Sequence, residues 1–451
     1  MVQHKLNIDF ADMKSYVAWL MNRKNLHINN RQSQRNRRVN IIHTGENGHK
    51  DNRMDKGDKA NRKISIAYDG QLFLKGNKTG IAWSADNTIR EIAKDSEFQC
   101  QLNYFTKRCS EEQIASMDEY KTLGVKLRPN SKFTSRQFLI RWALWHIPYR
   151  LFFQKSTDIT HFFNFVVPFG VQGKVVTTVH DMSYITYPET VRARTKWWLR
   201  LFLKGSCKRA DRIITVSEFT KQELMKYLHV PEEKIRVMYN GVDLKLYRED
   251  FADEDVSAVK KKYGIERDYL FYLGTIEPRK NLKRLIEAYG LILDSFQGEE
   301  ERIKAYPDLI LGGGKGWLSD EIYEAAKADN LHGKVRFIGY VDEADSPILM
   351  HGAEIFCFPS LYEGFGMPPV EALACGTPVF SANASCLPEV LKDHAVYADP
   401  LSVEDMAEKL KGMLENKELL QNMRKSARTF AETYDWKYSA AVLKEVYREL
   451  V

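Results

Sequence analysis

From residue 63 onward, short apolar runs alternate with longer stretches of helical periodicity. The runs KISIAYDG, CQLNYF, ITHFFN, KVVTTVH, RIITVS and IRVMYNG predict strands. Between them lie helical patterns such as ADNTIREIAK, TSRQFLIRWALWHIPYRLFF and RARTKWWLRLFLKGSCKRA. The segment DLKLYREDFADEDVSAVKKKYG has an acidic, strandless beginning and reads as an interdomain connector. A second series then starts with DYLFYLGT, DLILGGG, KVRFIGY, EIFCFPS, TPVFSA and AVYAD, and the chain closes with helices, the last roughly WKYSAAVLKEVYREL. Strand and helix in alternation predict α/β domains, each a parallel sheet covered by helices on both faces. The expected boundaries are 63–248, 249–434 and a final helix over 435–451.

Residues 1–62 have a different texture. Phe10, Met13, Tyr16, Val17, Leu20 and Met21 share one helical stripe within residues 9–25, and a polar, basic linker follows. Of the chain's 67 Lys and Arg and 60 Asp and Glu, 13 and 6 fall here, leaving 54 of each beyond, so this extension carries the whole net charge of +7. A solvated tail is the favoured reading. Docking on the body, on another subunit or on an anionic membrane face is the alternative. No nucleic-acid motif accompanies the basic arm, so no nucleic-acid partner is expected.

At 451 residues the chain is too long for one core. No apolar run is long enough to cross a bilayer, and the start lacks the apolar segment of a signal peptide. The six cysteines, scattered without CxxC pairs, suit reduced thiols and argue against a zinc site or a disulfide framework. The expected location is cytoplasmic, with a peripheral contact at the inner membrane face as an alternative.

The candidate chemistry lies at predicted strand ends. In PSLYEGFGMPPVEALACG, Gly364, Gly366 and the paired prolines forbid one helix through both Glu363 and Glu371. Glu363 is expected on the glycine loop and Glu371 in the first turn of the helix that follows. Two carboxylates there suit acid/base or nucleophilic work on a sugar, or polyol binding, and the amides from Gly364 to Met367 could cradle a phosphate. Arg279 and Lys280, after Pro278 and before the helix NLKRLIEAY, suit a diphosphate, although an ordinary solvated helix start would look the same. The turn LILGGGKGW matches neither a Walker A loop nor GxGxxG, and tight strand-to-helix packing explains it as well. His180 ends a strand of the first domain, where it either assists at a sugar hydroxyl or is satisfied by backbone.

Together, and in order, DG…TGI, HDMSY…YPE, ITVSEFTKQEL, YNGVD, LGTIEPRKNL, GGGKGW, VRFIGYV and FPSLYEGFGMPPVEALACGTPV resemble the family 4 retaining glycosyltransferases of the GT-B fold, over about residues 63–451. The EPRKN element is similar to the bacterial polysaccharide and O-antigen branch, where mannosyl transfer from GDP-mannose is common. The resemblance implies two Rossmann-like domains facing a cleft, an acceptor domain first and a nucleotide-sugar domain second, with the C-terminal helix crossing back. It implies that Glu371 holds the ribose, that Glu363 faces the donor sugar, and that the amides of Gly364, Phe365 and Gly366 contact sugar and phosphate. Arg279 and Lys280 would neutralise the leaving diphosphate, and the loop at Tyr340 and Val341 would border the base. His180 and the Thr79–Gly80 loop would approach from the first domain. Two positions depart from the family pattern, Gln71 in DGQ and Ala82 in TGIAWS.

The function expected on this basis is retaining, metal-independent transfer of a hexosyl group, mannose favoured, from a GDP- or UDP-linked sugar to a glycan or lipid-linked acceptor. The nucleotide sugar is a substrate, and no cofactor is expected. No DxD stands at a strand end, and the acidic DED at 253–255 falls in the connector. Front-face transfer assisted by the β-phosphate is preferred to a double displacement through Glu363. The rival readings are an epimerase or hydrolase of the same fold and a noncatalytic sugar-nucleotide-binding subunit.

Overall fold

Thirteen strands form two wholly parallel sheets in the computed structural model, which describes residues 62–74, 79–153 and 156–451. The first sheet contains β1 (Ile64–Asp69), β2 (Phe98–Phe105), β3 (Lys126–Asn130), β4 (Ile159–Phe162), β5 (Lys174–Val179), β6 (Arg212–Thr215) and β7 (Ile235–Val237). Its spatial order is β3-β2-β1-β4-β5-β6-β7. The second contains β8 (Tyr269–Leu273), β9 (Asp308–Gly312), β10 (Val335–Gly339), β11 (Ile355–Phe358), β12 (Val379–Ala382) and β13 (Ala395–Ala398), in the order β10-β9-β8-β11-β12-β13. The central strands are largely buried because helices cover both faces, as in β11, where all four residues are apolar and buried. The architecture is the expected GT-B pair of α/β units. The extension over 1–62, with its expected helix and linker, lies almost wholly outside the described residues.

Three elements differ from the sequence reading. Strand β3 has the sequence KLRPN, too polar and proline-containing to stand out, and it is tolerated because it forms the sheet edge. The segment read as one helix from Thr134 to Phe153 stops at Trp145: His146 turns left-handed (φ 53°), and Pro148 leads into a short turn over Tyr149–Leu151. The DED of the connector forms the first turn of a helix over Asp253–Lys262, exposed and balanced by Lys260, Lys261 and Lys262 in its last turn.

In both sheets the chain starts at a middle strand and reverses direction across the sheet. The switch points lie between β1 and β4 and between β8 and β11. Loops at the carboxyl ends of these strands flank a ligand crevice in open α/β sheets. The final helix, Trp436–Leu450, sends Ala440, Leu443, Val446 and Tyr447 into the core of the first sheet. The hydroxyl of Tyr447 lies 2.7 Å from Nδ1 of His161, whose Nε2 lies 2.9 Å from the Thr178 hydroxyl. Among the described residues no helix is long and apolar enough to cross a membrane.

Candidate active site

Adjacent strands β8 and β11 deliver the charged residues. After β8 the chain runs through Gly274 and Glu277 into a tight turn, Pro278–Lys280, and then a helix over Leu282–Asp294. Arg279 and Lys280 therefore stand just ahead of a helix start, as expected. After β11, Pro359 to Tyr362 lead to Glu363 on the glycine loop.

The two strand ends meet in a tight ionic cluster. Lys280 Nζ donates to Glu363 Oε1 at 2.6 Å, and Arg279 Nη1 lies 3.0 Å from Glu363 Oε2. Arg279 Nη2 also donates to Glu277 Oε1 at 2.9 Å, and its Nη1 to the Tyr362 carbonyl at 2.6 Å. Two cations thus face two carboxylates, with Glu277 only 3 % exposed. Burial alone would raise the Glu363 carboxyl, but Arg279 and Lys280 outweigh it and hold the group down at about 2. Burial pushes Lys280 below the usual lysine range against the pull of Glu363. Two cations bear on the one carboxylate, so the Glu363 side is held ionised.

Glu371 is the fifth residue of the helix Met367–Ala374. This corrects the expectation of a first-turn acid: Pro368 and Pro369 occupy that turn, and Glu371 lies one step beyond the region where the helix dipole favours an acid. Burial raises its carboxyl to about 7, with the Tyr247 hydroxyl pulling it down and Glu343 pushing it up. Glu363 is an ion-paired anion, whereas Glu371 holds a proton to near neutrality. The two carboxylates are electrostatically distinct.

The glycine loop is shaped by close approach. Gly366 caps the helix with φ 82°, and a Cβ there would meet Leu387 at 2.8 Å. Gly364 abuts the carbonyl of His180, which a Cβ would strike at 1.8 Å. The Glu363 amide donates to Ser385 Oγ at 3.0 Å. Phe365 turns its ring away from the loop, packing against Tyr239 and Tyr434 with centroids 6.3 and 5.7 Å apart, so only its main chain faces the candidate site. Met367 begins the helix and packs on the core of the second sheet.

The remaining candidates occupy the loops around this centre. Tyr340 is 63 % exposed after β10, while Val341 is buried against Gly312. In the GGG turn, a Cβ on Gly313 would meet the Gly274 carbonyl at 1.8 Å, so these glycines serve loop-to-loop packing beside the turn that carries Arg279. His180 Nε2 donates to the Phe163 carbonyl at 2.8 Å, and burial lowers its pKa. The backbone-satisfied reading of this side chain is the one found, and its main chain is what meets the second half of the molecule. Thr79 caps the helix Gly80–Ala93 by accepting from the Ala82 amide at 3.4 Å, and both Thr79 and Gly80 are exposed. Ala82 is buried in the first core, and Gln71 Oε1 accepts from the Phe105 amide at 3.0 Å. Glu277, Ser385, Tyr362 and Glu223 were not singled out by sequence reasoning; of these, Glu277, Tyr362 and Glu223 sit inside quoted motifs, Glu223 in ITVSEFTKQEL.

Two family models match the two halves of the chain. Residues 80–246 match the model of Glycosyltransferase Family 4, and residues 255–430 that of Glycosyl transferases group 1. O-antigen chain mannosyltransferase B of Escherichia coli is 36% identical over 251 residues, covering 54% of this chain and 62% of that protein. O-antigen chain mannosyltransferase RfbU of Salmonella typhimurium is 30% identical over 223 residues, covering 49% of this chain and 56% of that protein. The match therefore spans under two thirds of either relative. The crystal structure of Anabaena Alr3699/HepE in complex with UDP and glucose superposes with a TM-score of 0.62 at 19% identity, covering 86% of this chain and 100% of that one. The chain thus carries two glycosyltransferase domains in tandem, a Glycosyltransferase Family 4 domain followed by a Glycosyl transferases group 1 domain, on two parallel sheets with the GT-B fold.

Proposed function

We infer that this chain transfers a hexosyl group, mannose favoured, from a nucleoside diphosphate sugar to a glycan or lipid-linked acceptor, with retention at the anomeric carbon. One observation carries the reading: Glu363 is held between Arg279 and Lys280 at the carboxyl ends of two switch-point strands. In the proposed reaction the diphosphate enters beside these cations, which divide themselves between Glu363 and the phosphate oxygens. Negative charge builds on the β-phosphate as the bond to the sugar breaks, and donors already fixed in place stabilise it without reorganisation. Glu363, ionised throughout, accepts from sugar hydroxyls near the anomeric carbon. Glu371 accepts from the ribose hydroxyls, the amides of Gly364, Phe365, Gly366 and Met367 line the sugar-phosphate path, and Tyr340 and Val341 border the base. Thr79, Gly80 and His180 form the facing wall, His180 through its main chain. The acceptor hydroxyl attacks from the side the leaving group departs, and the β-phosphate takes its proton.

Mannose is favoured because both relatives described above are named as O-antigen mannosyltransferases, and the carrier is a GDP- or UDP-linked sugar. An anionic membrane surface is the proposed resting place for the acceptor end. Trp145, Leu151, Trp197 and Leu201 are 65, 59, 47 and 41 % exposed, and residues 131–157 and 193–209 contain no Asp or Glu.

A thermal-shift panel of UDP, GDP, ADP and their common sugars, without added metal, tests the donor site. A nucleotide at about 100 times its dissociation constant stabilises by ~2.7 kcal/mol. The shift is expected with one base and is expected to vanish in Lys280→Ala and Glu371→Ala. No shift from any nucleotide would overturn the reading. The anomeric configuration of the first-formed product, read by NMR, tests retention.

A further inference from the structure

Tyr362 and Glu363, neighbours in sequence, serve opposite sides of the contact between the two halves. The Glu363 carboxylate stays with Arg279 and Lys280 in the second half. The Tyr362 ring crosses into the first half, where it is 2 % exposed between Tyr187 and Phe219, with centroids 5.5 and 5.8 Å away. There its hydroxyl donates to Glu223 Oε2 and accepts from the Met182 amide at 2.8 Å.

Further bonds cross the same seam. Ser217 Oγ donates to the Gly364 carbonyl at 2.7 Å, and the amides of Glu218 and Phe219 donate to the two Glu389 oxygens at 2.7 and 2.9 Å. Back in its own half, the Tyr362 carbonyl accepts from the same Arg279 that braces Glu363.

Glu223 is a costly choice for this spot if packing were its only purpose. It is 7 % exposed, and burial raises its carboxyl to about 7, eased by the Tyr362 hydroxyl and Lys226 and opposed by Asp181. An apolar pair would bury the same area without desolvating an acid. A buried hydrogen bond adds what an apolar contact lacks: it is made at one register only, and sliding the halves leaves both partners unsatisfied.

We propose that Tyr362 and Glu223 are positioning residues for transfer: their bond fixes the register of the two halves and, through one peptide link, the placement of Glu363. This rests on the glycosyltransferase reading above. With the halves apart, the hydroxyl, the Glu223 carboxylate and the Met182 amide return to water, and the Glu363 loop is braced from the second half alone.

The test uses the full chain with Tyr362→Phe and Glu223→Gln, in three measurements: affinity for the nucleotide that the wild type binds, steady-state kinetics, and hydrogen–deuterium exchange. Tyr362→Phe is expected to leave nucleotide affinity nearly unchanged, because the cations and Glu371 lie in the second half. It is expected to lower kcat about 100-fold, the scale of a misplacement of about 1 Å, and to speed exchange at Met182, Glu218 and Phe219. Glu223→Gln keeps a carbonyl that accepts from the hydroxyl and is expected to retain most of kcat. Wild-type turnover in Tyr362→Phe overturns the proposal. So does a parallel fall of affinity, kcat and melting temperature in both variants, which would mark a merely structural pair. If the wild type neither binds nor turns over any sugar nucleotide, the glycosyltransferase reading fails first; unchanged exchange at Met182 in Tyr362→Phe would then overturn the register role on its own.

Discussion

The carbonyl oxygen of His180 occupies the space that a side chain on Gly364 would need: a Cβ at that position would come within 1.8 Å of it. The contact joins the loop carrying Glu363 to the end of β5 in the other half. Gly364→Ala must push the halves apart or distort the loop, and overpacking of this kind costs about 1–3 kcal/mol. A lowered melting temperature together with lost turnover is expected. Unchanged values of both would mean that the contact is not kept in solution.

Lys280→Ala removes one of the two cations facing a buried carboxylate. By analogy with an oxyanion-hole donor, turnover should fall ~10²-fold or more, about 3 kcal/mol. The stability effect has a sign set by Glu363. Its folded value of about 2 lies below its ordinary 4.5, so its contribution is present above about pH 4.5 and is lost as pH falls toward 2. With Lys280 gone, the Glu363 value rises and acid unfolding should begin at higher pH. Denaturant midpoints between pH 2 and 6, variant against wild type, read this directly.

Glu371 behaves in the opposite way. Its folded value near 7 lies above its ordinary 4.5, so it favours the folded state at low pH, and that advantage is lost as pH rises from 4.5 to 7. The loss amounts to about 3 kcal/mol by linkage. Ribose hydroxyls donate to the ionised form, so nucleotide affinity should climb as pH rises through 7. In Glu371→Gln the affinity should be weak and flat with pH, while stability at pH 8 rises. Calorimetric titrations at pH 6, 7 and 8 check both halves of the argument.

For the acid-free aromatic face, co-sedimentation with vesicles gives the answer. Binding is expected with anionic phosphatidylglycerol, not with neutral lipid alone, and should weaken with salt. Each basic residue near such a surface contributes about 1 kcal/mol, so Arg200→Ser with Lys204→Ser should weaken binding about tenfold or more. Trp145→Ser with Trp197→Ser should do the same through lost interfacial anchoring. Equal binding to neutral vesicles would sink the idea.

Tyr447→Phe tests the crossing helix. Burial holds His161 near 3, so it is neutral, and the Tyr447 hydroxyl is the partner of its Nδ1. Removing that hydroxyl strands a buried nitrogen at about 1–3 kcal/mol. A chemical-denaturation midpoint unchanged from wild type would show that the helix docks without this bond.

Much of this molecule is legible in its sequence. The apolar runs located twelve of the thirteen strands because strands covered by helices are rich in apolar and β-branched residues; β3, KLRPN at a sheet edge, escaped because Leu127 is its one aliphatic residue beside a proline. Gly364, Gly366 and the paired prolines ruled out a single helix through both glutamates, since glycine and proline act on the backbone locally. Local chemistry could not say how each charge is paired. The ordinary values of Glu363 and Glu371 are the same; only the arrival of Arg279 and Lys280 from β8 beside one, and burial around the other, sends them to about 2 and about 7. His180 looked like a candidate acid or base until β4 brought the Phe163 carbonyl to its Nε2. The roles of Tyr362 and Glu223, 139 positions apart, were invisible for the same reason. Periodicity and backbone restrictions are properties of neighbouring residues, so sequence alone determined the two sheets and the residues at their ends. Desolvation and pairing depend on what distant segments bring into contact, so only the tertiary structure decided which of those residues carry charge, which hold a proton, and which hold the two halves together.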